Sequence, residues 1–60
     1  MIVNDKVKES RNNCRSILKE LDSAILEGNV EKIKILETTY VLANQQLQYY
    51  ERLFQIQNTI

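Results

Sequence analysis

The side chains here that could do chemistry are few. There is no His to serve as a general base near neutral pH, and no Gly-rich loop to cradle a phosphate, since the chain has one Gly. The single Cys, Cys14, cannot form an internal disulfide, and with no His beside it there is no set of about four ligands for a structural zinc. Eight carboxylates are scattered at spacings that suit solvated helix and i,i+4 pairing rather than an acid/base couple. We therefore expect no catalytic residue, no metal, no cofactor and no small-molecule substrate. Two other groups stand out. Lys8, Arg11, Arg15 and Lys19 follow spacings of three and four, which puts four cations along one side of a helix, where they could contact nucleic-acid phosphates. Tyr40, Tyr49 and Tyr50 are three of the four aromatic residues, each with an apolar body and a polar tip.

The elements that must position these groups follow from one break in the pattern. Pro is absent, and the only Gly lies mid-chain, in Glu27-Gly28-Asn29-Val30. Gly just past a helix is the usual left-handed stop, and Asn29 can then cap the next helix with its side-chain oxygen. Glu31 suits the positive end of that second helix. The expectation is an all-α, two-helix antiparallel hairpin, one domain over residues 1–60. The first helix spans about residues 5–27, with Asn4 as its N-cap; the turn is 28–29; the second spans about 30–57.

The first helix places Val7, Cys14, Ile17, Leu18, Leu21, Ala24 and Ile25 on one face, weakening at Ser10 and Arg11. The second runs Ile33, Leu36, Tyr40, Ala43, Leu47, Tyr50 and Phe54 at spacings of three and four, a heptad seam. A tight turn then sets Leu21 level with Leu36, Ile17 with Tyr40, Cys14 with Ala43, Val7 with Tyr50 and Val3 with Phe54. Cys14 facing Ala43 reads as a small buried residue rather than a reactive thiol.

The second helix carries more apolar surface than one partner can cover. Ile35, Leu42, Tyr49 and Ile56 recur every seven residues, about 100° round the helix from the Leu36/Ala43/Tyr50 line. Leu53 falls between the two lines, making an apolar arc of about 160° against the roughly 100° that one helix buries. The surplus predicts an interface at Ile35, Leu42, Tyr49, Leu53 and Ile56, with a second copy (a four-helix bundle) or another protein as the occupant. Beyond residue 37 the polar side chains are mostly amides and hydroxyls, which desolvate at less cost than ions.

Net charge is zero overall, with eight bases against eight acids. Residues 1–19 hold five bases against Asp5 and Glu9, and the remainder holds three bases against six acids. Zero net charge and the lack of aromatic residues along the basic ridge argue for a solvated flank, so nucleic acid is the alternative partner, not the expected one. No run of about 18 apolar residues could cross a membrane. With one Cys and no apolar leader, the expected setting is the cytoplasm.

The plan is similar to that of the small bacterial aspartyl-phosphate phosphatases of sporulation control, which carry Ser-Gln-x-Leu-Asp on their second helix. Asn44-Gln45-Gln46-Leu47-Gln48 occupies a comparable stretch here. Gln48 stands where that motif has its acid, and the spacing from Gly28 is longer, so that activity is not carried over. In architecture alone the chain also resembles plasmid copy-number regulators, which dimerise into four-helix bundles and bind RNA loops. Small co-chaperones of bacterial secretion systems share the same plan. A fold by itself fixes no function; the expectation of a small non-enzymatic regulator or adaptor rests on the lack of a catalytic constellation and on the surplus apolar stripe of the second helix.

Overall fold

Two antiparallel helices are joined by the Gly28 turn. The computed structural model describes residues 3–59, with α1 running Val3–Glu27 and α2 Val30–Thr59. The molecule is a rod of 48 × 15 × 14 Å, one helix long and two helices wide.

The turn behaves as its residue types dictate. Gly28 has φ 71°, the left-handed region open to a residue without Cβ. The Asn29 amide donates to the Ala24 carbonyl and the Gly28 amide to the Ile25 carbonyl, both at 3.1 Å. This paired closure satisfies two of the carbonyls that a helix end leaves without partners. Asn29 then opens α2: its Oδ1 accepts the Lys32 amide at 3.3 Å and its carbonyl accepts the Ile33 amide at 3.0 Å.

Both helices extend past the expected ends. Asn4 is not a cap; it lies inside the first turn of α1, because Val3 is already helical and buried. The three-and-four spacing of the seam continues through Val7 to Val3, and burial of that last valine rewards the extra turn. At the other end α2 reaches Thr59. Asn58 Nδ2 and Thr59 Oγ1 donate back to the carbonyls of Phe54 and Gln55, adding side-chain bonds to the last turn.

The core is the single seam between the helices. Cys14, Ile17, Ala24, Leu36 and Ala43 are buried together, with Leu21, Ile33, Tyr40 and Leu47 packed around them. The α1 side is unbroken: Val3, Val7, Ser10, Cys14, Ile17, Leu21 and Ala24 are all buried or half-buried at steps of four and three. Ser10, read from sequence as a weak point, is buried within the seam. A small residue is what fits there, since Ser10 lines one depression with Gln46 and the large Tyr50. Val7 likewise shares a depression with Glu51 and Phe54, within a turn of the register set at Gly28.

Three residues read as seam residues sit at its margin. Leu18 and Ile25 follow the buried Ile17 and Ala24 by one position, which rotates them onto the flank, and both are exposed. Phe54 is exposed too, although it stands in line with Leu36, Ala43 and Leu47.

Candidate interaction surface

The second stripe of α2 is bare. Ile35 is 66% exposed, Leu42 62%, Tyr49 59% and Ile56 52%, while Leu53, closer to the seam, is half-buried. Four large apolar side chains in a row, each more than half in water, are not the scattered exposed residues of an ordinary surface. At 1.5 Å per residue the row from Ile35 to Ile56 is about 32 Å long. Val41 is also exposed, but one position before Leu42 it is turned about 100° away from the stripe.

Tyr49 is the best-organised member. Its ring meets that of Tyr50 edge-on, with centroids 5.4 Å apart and planes at 62°. Tyr50 is half-buried in the seam, so the exposed ring leans on a fixed one.

The polar residues beside the stripe are partly self-satisfied. Thr38 Oγ1 donates to the Lys34 carbonyl at 3.2 Å, and Thr39 Oγ1 to the Ile35 carbonyl at 2.8 Å. With their donors turned onto their own helix, these threonines cost less to cover than free hydroxyls would. From Thr38 to Tyr50 the chain has no charged residue at all.

The two flanks of the hairpin differ. Gln46 borders a depression with Lys6, Glu9, Ser10 and Asn13 of α1, on the same side of α2 as Leu42 and Tyr49. The other flank carries the ion pair between Arg11 and Glu51, at 3.6 Å, with both side chains about half exposed. Leu18 and Ile25, seven and fourteen residues after Arg11, belong to that second flank and do not extend the α2 stripe.

Of the basic ridge, Lys8, Arg11, Arg15 and Lys19 are all exposed. Arg11 is drawn to Glu51 across the seam, so the ridge is partly neutralised by α2. Lys6 pairs with Glu9 within α1 at 3.4 Å, outside the ridge. Cys14 is a free, buried thiol among apolar neighbours. Among the described residues no cluster of His, Cys, Asp or Glu could hold a metal ion, and no helix is long and apolar enough to cross a membrane. The depressions are open to solvent, and one lies on the outer side of α2 between Gln45, Gln48, Tyr49, Arg52 and Gln55. Comparison of the chain with family models, with curated proteins and with solved structures finds no match.

Proposed function

We propose that this chain is a small, non-enzymatic regulatory or adaptor protein that binds another protein through the apolar surface of α2. The observation that carries this reading is the exposed row Ile35, Leu42, Tyr49 and Ile56 on a helix whose other face is already used by α1. Burying such side chains contributes roughly 25 cal/mol per Å², a gain the isolated hairpin leaves unrealised. Tyr49 is the expected anchor, being a large ring with a polar tip for a rim partner. The same surface supports self-association, in which one patch serves both sides. The free thiol of Cys14 suits a reducing, cytoplasmic setting. The alternative, an RNA-binding dimer using Lys8, Arg11, Arg15 and Lys19, draws on the exposure of those cations but loses Arg11 to Glu51.

Affinity capture with the wild-type hairpin and with Tyr49→Asp, each at low and high salt, tests the proposal. The expected result is a protein retained by the wild type at both salt concentrations and lost with Tyr49→Asp. Capture that survives Tyr49→Asp and collapses at high salt, as phosphate contacts do, would overturn it in favour of the nucleic-acid alternative.

A further inference from the structure

We infer that the occupant of the α2 stripe is a second copy of this chain, laid antiparallel, with the two-fold axis between Leu42 and Tyr49. This rests on the reading of the stripe as an interface and specifies its geometry. With Thr39, Gln46 and Leu53 included, the stripe is itself a three-and-four repeat: Ile35, Thr39, Leu42, Gln46, Tyr49, Leu53, Ile56. A helix bearing two such seams is built to pair on both. In the antiparallel arrangement Ile35 meets Ile56 of the second copy, and Leu42 meets Tyr49, so all four large residues are covered on each side. Sliding by one heptad leaves residues of both copies uncovered in water.

Charge selects this direction over the parallel one. A parallel pair would set Glu31 beside Glu31, Lys32 beside Lys32 and Arg52 beside Arg52. Antiparallel, Arg52 lies against Thr38 and Thr39, whose hydroxyls are already bonded to Lys34 and Ile35 carbonyls. Lys32 lies level with Thr59 of the second copy and Lys34 with Gln57, both in the stretch 53–59, which carries no charge. Antiparallel helix dipoles add a further small attraction. At the axis the two Gln46 amides come within one residue of level. An amide both donates and accepts, so a self-paired Gln is satisfied and opposes slippage of the register.

The area suffices for a modest dimer. Specific interfaces start near 1,200 Å² in total, about 600 Å² per copy. That is roughly an eighth of the 4810 Å² surface of the hairpin. A helix face about 32 Å long, with its flanking threonines, glutamines and Leu53, is of that order. The interface is carried by α2, since the adjoining flank of α1 offers Asn13, Ser16, Glu20 and Ser23 and no large apolar residue.

The experiment is sedimentation equilibrium on wild type, Leu42→Glu, Tyr49→Arg and an equimolar mixture of the two variants. Circular dichroism confirms that each stays helical. We expect a wild-type dimer, each variant alone weakened by about tenfold or more, and a mixed dimer tighter than either parent, because the new carboxylate then faces the new guanidinium. A wild-type dimer with no rescue on mixing overturns the antiparallel register and leaves self-association through α2 standing. A wild type still monomeric at millimolar concentration overturns the second copy as occupant; the capture experiment then judges the foreign-protein reading separately.

Discussion

α1 and α2 face each other across the same seam, yet they spend their side chains differently. Among the described residues α1 buries Val3, Val7, Ser10, Cys14, Ile17 and Ala24 almost completely, while α2 does so only with Leu36 and Ala43. The reason lies in side-chain size. α1 offers mostly small and medium residues to the seam, and Tyr40, Leu47 and Tyr50 of α2 overhang them with part of each side chain still in water. The main apolar face of α1 is consumed by the hairpin, and only Leu18, Ile25 and Leu26 among its large apolar residues stay exposed. α2 is two-faced, and the hairpin consumes only one side. What remains exposed after folding thus tells the two helices apart: α2 keeps the row Ile35, Leu42, Tyr49 and Ile56 in water.

The largest effect that could break this comparison comes from the seam. Ile17→Ala and Leu36→Ala truncate buried aliphatic side chains and should each cost about 2–5 kcal/mol, enough to unfold a domain of this size. Leu42→Ala, on the bare face of α2, should leave the melting temperature of a dilute sample within a few degrees of wild type. Thermal denaturation of the three variants, followed by circular dichroism, decides. Equal losses at Leu36 and Leu42 would mean that α2 has no free face.

A smaller effect is expected at the turn that both helices share. Gly28→Ala has room for its methyl, since nothing lies within 4 Å of the Cβ position, so only the left-handed backbone resists it. The cost should be about 1–2 kcal/mol. Asn29→Ala removes one long capping bond and should cost about 0.5–1 kcal/mol. Urea titration of both would rank them, and a reversed order would show the cap to matter more than the left-handed stop.

The smallest effect belongs to the charged flank. Arg11→Ala combined with Arg15→Ala removes the Glu51 pair and half of the basic ridge, yet should change stability by at most about 1 kcal/mol, because both partners of the pair are half exposed. Dimer affinity by sedimentation should be unchanged. A large loss of either would move the functional weight from α2 to α1.

The hairpin was legible in the sequence because its determinants are local: one Gly, one Asn after it, and a repeat of three and four on either side. The bare stripe was legible too, since an arc wider than one partner can cover is a property of the helix alone. What escaped depended on the neighbour. Ser10 reads as a gap until Tyr50 and Gln46 are seen around it. Phe54 reads as core from its spacing, yet it borders an open depression with Asn4, Val7, Lys8 and Arg11. Asn4 has the right side chain for a cap, but the burial of Val3 carries the helix past it. The Arg11–Glu51 pair joins residues forty positions apart, and no spacing rule links them.

The position of the turn also governs the order in which the molecule can assemble. Ala24 and Ile33 are nine residues apart in the chain, whereas Val3 and Phe54 are fifty-one apart. Closing the longer loop from an unstructured chain carries the larger entropic cost, which grows with the logarithm of its length. Once Gly28 and Asn29 have closed, each further layer adds only one more turn on either side, so the seam zips outward from the bend. Contacts of this local kind make for fast folding, on a scale of microseconds to milliseconds. Reversal begins at the open end: the turns around Val3 and Phe54 fray first, and their amides exchange with solvent well before those beside Ala24 and Leu36.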